Sequence, residues 1–479
     1  MVEPPRQLAQ EEVETLLERH RVWLESDGER GERARLQGAY LWKVDLQGAD
    51  LRRADLRSAS LVEATLQDAD LRGADLTDAS LVDAVLRGTN LRDACLAGAY
   101  LNGADLQGVN LQQADLREAT LNGAILQRAH LTNADLQGAN LQSVDLDGAR
   151  LLYANLAGVN LLRATLRGAT LTGVDLSEAN LTRTHLAEAD FTGATLEKAK
   201  LKEADLEGAI LIGADLTGAQ LNGVQLTRSN LHSADLSRAT LEGATLIEAD
   251  LSEATLTGAT LDRVDLTGAN LHAAILEHAS LERATLDEAD LSDARLDEAD
   301  LSDAHLTAAD LTGVHLRKAL LQRATLTGAD LTAADCTAAD FTSAHLDKAT
   351  LERVRLDEAR LHRATLTRAN LEQATLAGAD LSDTKLHRAR LKAAHLERAT
   401  LTRSALTRAN LEEARLQEAQ LRGAYLREVN LRGAILDHAD LRRTKLLTRN
   451  ALVDAASFNQ TRLDLRVIFG LWLRRVRKR

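Results

Sequence analysis

Aromatic residues are scarce in this 479-residue chain, which has three Trp, four Tyr, four Phe and a single Met. An ordinary globular core leans on aromatic volume, so this chain does not build one. Long apolar runs are missing as well: nowhere do eighteen apolar residues follow one another, as a membrane-spanning helix requires. The stretch from Met1 to Glu14 is acidic where a secretory signal would be basic and then apolar, and the expected compartment is the cytoplasm. No glycine-rich phosphate loop or nucleophile elbow is present. These absences leave repetition as the main source of information.

From Leu36 to Leu446 a large apolar residue occurs at every fifth position without insertion or deletion, in eighty-three windows. Only Phe191, Cys336 and Phe341 replace Leu. Two residues before each Leu stands a small side chain, Ala in most windows and otherwise Val44, Thr89, Ser229 or similar. In an α-helix, five residues turn through roughly 500°, so these Leu would form no stripe. In a flat strand they would alternate between faces. A chain that turns one corner per window sends every Leu inward, which defines a solenoid with a Leu and Ala interior.

Corner chemistry fits this reading. Two residues after the Leu, Gly fills 21 of 47 positions between 38 and 268 but 5 of 36 between 273 and 448. A turn with positive φ favours Gly there. The change near residue 270 predicts either a different turn type in the later windows or charge placed for a partner, as at Arg283, Glu288, Asp293 and Arg398.

Windows such as Ala104-Asp105-Leu106-Gln107-Gly108 and Ala134-Asp135-Leu136-Gln137-Gly138 resemble the pentapeptide repeat family, over about residues 34 to 448. The resemblance implies an all-β solenoid, a right-handed four-sided β-helix with twenty residues per coil and about 21 coils. The domains expected are 1–33, an N-terminal amphipathic helix and cap; 34–449, the β-helix; and 450–479, an apolar and basic cap, dimerisation or docking segment.

With coils of twenty residues, Cys95 and Cys336 lie about twelve coils apart, beyond disulfide reach. Cys336 takes a Leu position and is expected as a small core hydrophobe. No two of the thirteen His are twenty residues apart, so none stack on adjacent coils. The Asp or Asn before many Leu, as at Asp45, Asp50, Asp55 and Asp70, alternates with Thr65, Asn90, His130 and Ile125, which suggests a tolerant surface. No catalytic residue, metal ligand or cofactor site is expected.

Formal net charge is −13, unevenly distributed. Residues 241 to 313 hold seventeen acids against three bases, whereas residues 354 to 449 come to +7 and 450 to 479 add +5. The acidic belt peaks at Asp287, Glu288, Asp290, Asp293, Asp297, Glu298, Asp300 and Asp303, the candidate partner surface. Regular negative charge can imitate DNA phosphates, and the resembling family includes DNA mimics that act on gyrase. Polar outward positions also keep a solenoid soluble, and Arg263, Arg283 and Arg295 interrupt the belt.

Solenoid ends expose core and strand edges, so caps are expected. Val13, Leu16, Leu17, His20, Trp23 and Leu24 follow helical spacing, with the helix ending near Ser26-Asp27-Gly28 and Trp23 against the first coil. Toward the C-terminus Leu463, Leu465, Val467, Phe469, Leu471 and Leu473 alternate with mostly polar residues. A strand pairing with the last coil or a second copy fits this pattern. Ile468 and Trp472 also allow a helix with a basic end, suited to an anionic membrane. The candidate dimer or docking residues are Phe469, Leu471, Trp472, Leu473, Arg474, Arg475 and Arg477.

The reading that results is a non-enzymatic scaffold that binds another protein through charge-patterned faces. A DNA-mimicking binder of a type II topoisomerase and a scaffold attached to a membrane surface through the C-terminal segment are the alternatives. A homodimer through the C-terminus stays open, and direct nucleic-acid binding is not favoured.

Overall fold

In the computed structural model, residues 7–464 are described. The chain divides into two compact units, Met1–Thr240 and Leu241–Arg479. Each is built from the same five-residue window, and the backbone hydrogen bonds of one window explain its sequence.

In the first unit, the residue before each Leu forms a parallel bridge with the residue twenty positions on, as in Arg35 with Asp55 and Tyr40 with Ser60. Four corners therefore make one coil, and four-sidedness is a direct property of the pairing. Within a window, the Asp55 N–H donates to Ala34 O at 3.0 Å and the Leu36 N–H to Asp55 O at 2.7 Å. The corner N–H of Gly38 donates to Arg57 O at 2.8 Å, and the Ala39 N–H closes the turn on Leu36 O at 3.0 Å. Four of the five N–H groups are thus satisfied by backbone, leaving the one directly after the Leu.

The Asp or Asn before the Leu supplies that missing acceptor. Asp75 Oδ1 accepts from the Thr77 N–H at 3.1 Å, and Asp175 Oδ1 from the Ser177 N–H at 2.9 Å. An N–H without a partner at a crowded turn is costly. The slot is therefore a turn cap, which corrects the expectation of a merely tolerant surface.

Corners adopt positive φ at the third turn residue alone, the type II arrangement. This holds across both units whatever the side chain, from Tyr153 at φ 55° to Ala273 at 55°, Arg283 at 58° and Arg398 at 60°. The turn type therefore does not change near residue 270. A left-handed residue with a Cβ costs roughly 1–2 kcal/mol, and the hydrogen bonds to the neighbouring coils over-determine it.

The interior holds only the two repeated positions. Leu51, Leu56, Phe191 and Phe341 are fully buried, with Ala54 and Ala59 beside them. Polar stand-ins at the small position are satisfied locally: Thr184 Oγ1 donates to Leu181 O at 2.6 Å and Ser229 Oγ to Leu226 O at 2.7 Å. Cys336 is buried in the second unit, and burial pushes its thiol far up, so it packs as a hydrophobe.

The first unit opens with helix α1, Gln10–Glu25, whose Glu12 carboxylate accepts from the Ala9 N–H at 3.0 Å. Val13 and His20 are its buried residues. The helix covers the open edge of the first coil with side chains that copy a backbone. Gln10 Nε2 donates to Asp45 O at 3.0 Å while Gln10 Oε1 accepts from the Asp45 N–H at 3.2 Å. His20 Nδ1 accepts from the Ala34 N–H at 3.1 Å, which leaves Nε2 to donate to Arg52 O at 3.0 Å. Trp23 stacks on His20, with ring centroids 5.5 Å apart. Gly31, at φ 77°, lies so close to Arg19 O and Trp23 N that no Cβ fits.

The second unit ends differently from its sequence expectation. Leu441 is the last buried Leu of the register. Leu446 is 62% exposed at φ 59°, because the chain leaves the register there to form α2, Arg449–Val453. Leu452 of that helix is fully buried and takes the place of the absent Leu. Bridges of Ile435 with Ser457 and Asp440 with Arg462 then span 22 residues, so α2 is accommodated as a two-residue insertion. The boundary between repeats and cap therefore falls before Leu446, not after Arg449.

Candidate interaction surfaces

A coil in the second unit has four sides, named here for their first Leu: Leu241, Leu246, Leu251 and Leu256. The acidic belt occupies all four sides of a single coil. Asp287 and Glu288 stand on the Leu246 side, Asp290 and Asp293 on the Leu251 side, Asp297 and Glu298 on the Leu256 side, and Asp300 and Asp303 on the Leu241 side. The candidate surface is a ring, so a partner approaching one side meets two of its eight acids.

Most of that ring is engaged within the chain. Asp290 caps the Ser292 N–H at 2.9 Å, and Asp300 caps the Ser302 N–H at 2.9 Å. Asp287 and Asp297 reach one coil ahead and cap the Thr307 N–H at 2.7 Å and the Arg317 N–H at 2.8 Å. Those two windows carry His305 and His315 in the slot, so the previous coil supplies the acceptor. Asp347 and Asp357 do the same for Thr367 and Ala377, at 2.7 and 2.8 Å.

Glu298 pairs with Lys318 at 3.0 Å, and that hydrogen bond holds its carboxyl below the usual range. Asp303 pairs with Arg323, with the same effect and the same cause. The Asp293 carboxylate lies over the corner of Gly313. Such exposed pairs between coils contribute little each, ~0.2–1 kcal/mol.

One side carries its acid in a row. On the Leu251 side, Asp250, Asn270, Asp290, Asp310 and Asp330 form consecutive parallel bridges. One oxygen of each carboxylate caps a turn N–H, at 3.0 Å for Ser252 and 2.9 Å for Ser292, Thr312 and Thr332. The windows 249–253, 269–273, 289–293, 309–313 and 329–333 contain no Lys or Arg. At about 4.8 Å per coil the row extends for ~20 Å. Nearness along the chain, which defines the acidic belt, does not pick out this row; its signal is Asp recurring at multiples of twenty.

The Leu246 side changes sign along its length. Windows 364–368, 384–388 and 404–408 contain no acid, and 424–428 contains Glu428 alone. His387, Arg388, Thr407, Arg408 and Arg427 line a shallow depression of about 330 Å³ there.

Among the described residues, no three His, Cys, Asp or Glu side chains stand where they could share a metal ion. No helix among them is long and apolar enough to cross a membrane. The candidate dimer or docking residues Phe469, Leu471, Trp472, Leu473, Arg474, Arg475 and Arg477 lie outside the described residues.

The family model described as pentapeptide repeats, in eight copies, matches fourteen segments between residues 34 and 443. Comparison with curated proteins gave no match. Among solved structures, the chain is similar to HetL, a pentapeptide repeat protein involved in heterocyst differentiation regulation from the cyanobacterium Nostoc sp. Strain PCC 7120. The two share 32% identity over 58% of this chain and 89% of HetL, with a TM-score of 0.17. Another pentapeptide repeat protein, alr5209 from Nostoc, is 36% identical over 22% of this chain and 79% of its own, at a TM-score of 0.19. QnrB1, a plasmid-mediated fluoroquinolone resistance protein, is 18% identical over 49% of this chain and 93% of its own, at a TM-score of 0.19.

Proposed function

The chain belongs to the pentapeptide repeat family, and on that premise we propose that it is a non-enzymatic binding scaffold whose acidic Leu251 side engages a basic surface of another protein. The observation that carries this reading is the row Asp250, Asp290, Asp310 and Asp330 on a stretch of that side, windows 249–253 to 329–333, that contains no Lys or Arg. A fixed row of like charge focuses its field along one line and steers a complementary partner. Each carboxylate is already held by a turn N–H, so little side-chain entropy is lost on binding. A DNA groove of a type II topoisomerase such as gyrase is one basic surface that selects such a row, and the regular spacing favours it as the second reading.

The test exploits the double role of the slot. Replacing all four residues by Asn keeps an acceptor oxygen at each turn, as Asn270 supplies to the His272 N–H at 3.0 Å in the same row. The quadruple variant is expected to melt like the parent and to lose the partner. A partner bound equally by both would refute the assignment of this side. Unchanged gyrase supercoiling at micromolar excess of the intact protein would remove the topoisomerase reading. Self-association or membrane docking through the stretch from Phe469 to Arg477 is a separate proposal. It predicts that truncation after Asp464 abolishes dimer sedimentation or pelleting with anionic vesicles.

A further inference from the structure

The geometry points to a second binding face on the same unit: the Leu246 side between residues 361 and 445 binds the phosphate backbone of duplex nucleic acid, without reading its sequence. Two rows of cations border this side. Arg363, Arg403 and Arg443 stand at alternate corners that lead onto it, with Asp383 and Gly423 between them, and Arg368, Arg388 and Arg408 stand at consecutive corners that lead off. Lys385 lies between the rows, and all seven are exposed.

Little in the chain neutralises them. Arg403 pairs with Asp383 at 2.6 Å and Arg408 with Glu428 at 2.6 Å, whereas Arg368, Lys385 and Arg388 have no ion-pair partner among the described residues. Arg368, Arg388 and Arg408 sit on consecutive coils, which stack about 4.8 Å apart. Like charges stacked this closely repel, and an external polyanion relieves that repulsion.

The chemistry of the face selects among polyanions. Arg outnumbers Lys seven to two on it once Arg427 and Lys445 are counted, and the guanidinium fork matches phosphate oxygens two at a time. The two rows flank a side only a few extended residues wide, on the order of 10 Å. This is comparable to the ~12 Å major groove that separates the two phosphate strands of a duplex. Over four coils, roughly 20 Å, a duplex presents on the order of ten phosphates. Tyr425 is the one aromatic here, and its ring is already covered by Lys445 Nζ at 4.4 Å, so stacking on unpaired bases is not provided for. An anionic membrane would call for apolar residues that insert, and among the described residues this side offers only Tyr425 and Leu446 as exposed large hydrophobics.

The test is fluorescence anisotropy with a labelled mixed-sequence duplex of about 30 base pairs, titrated with the full-length protein at several salt concentrations. Six or seven phosphate contacts predict a slope of log K against log salt near −6, and so a loss of roughly 4 × 10³ in affinity between 50 and 200 mM salt. The variant Arg368→Gln, Lys385→Gln, Arg388→Gln removes three contacts and is expected to flatten the slope by about 2.7. Its melting is expected to match or exceed that of the parent. Arg368→Lys with Arg388→Lys keeps the charge and should retain most of the slope. Duplex binding that the Gln variant leaves unchanged would overturn the proposal. So would tighter binding to single strands or to phosphatidylserine vesicles than to the duplex. The Asp250, Asp290, Asp310 and Asp330 to Asn variant should bind the duplex at least as well as the parent, which separates this outcome from failure of the acidic-side reading.

Discussion

Removing one turn cap tests the account of why Asp or Asn precedes Leu. At Asp215, Oδ1 accepts from the Thr217 N–H at 2.9 Å. No backbone carbonyl reaches that N–H, because the four others in the window take the available partners, as Ala214 N–H to Leu211 O and Leu216 N–H to Asp235 O illustrate. Asp215→Ala therefore leaves a half-buried donor with only partial access to water. Loss of a comparable helix cap costs about 0.5–2 kcal/mol, and a single hydrogen bond nets about 0.5–1.5. Asp215→Asn keeps the oxygen and should cost at most a few tenths of a kcal/mol. Because a repeat array opens locally rather than all at once, hydrogen exchange is a better assay than a global melt. Protection of amides around Thr217 should fall about fivefold in the Ala variant and stay near parental in the Asn variant. Equal damage from Ala and Asn would refute the capping argument and assign the slot to charge; no damage from either would assign it to water.

Three further outcomes follow from the packing. His20 is buried in its neutral form and its pKa is lowered by that burial, so its contribution to stability is complete above the ordinary His value near 6.5 and is lost as pH falls below it. Melting of α1 against the first coil should show this acid sensitivity, and His20→Gln should flatten it. Gly108 has open space where a Cβ would stand, whereas at Gly173 that Cβ would meet the Tyr153 ring at 2.6 Å. Gly108→Ala should cost only the left-handed backbone term of ~1–2 kcal/mol, and Gly173→Ala more unless Tyr153 is also shortened. Phe191 is fully buried at a position that otherwise holds Leu; chemical denaturation should give under ~1.5 kcal/mol for Phe191→Leu and ~3–5 for Phe191→Ala.

Much of the fold was legible in the sequence because every window repeats the same local problem. A single large apolar residue, a small residue two before it and a turn after it recur in fixed register. Only one kind of path buries them all. The pairing twenty residues apart then confirmed the four sides that the family resemblance implied. What misled were positions where side chains serve the backbone. Asp at the slot looked interchangeable with Thr or His, since the substitute acceptor, such as Asp287 for the Thr307 N–H, comes from the previous coil. Loss of corner Gly looked like a change of turn, although inter-coil hydrogen bonds impose the same positive φ on Arg, Glu and Ala.

Leu446 fits the pentad in sequence and yet faces solvent. The residues that follow can bury Leu452 only by leaving the register, and a local pattern cannot report that competition. By itself the sequence determined the inside of this protein, because the hydrophobic period acts through neighbours in the chain. Only the tertiary structure decided the outside. Which acids are already capped or paired, and which cations stand unopposed, depends on side-chain contacts between residues about twenty positions apart, brought together by coiling.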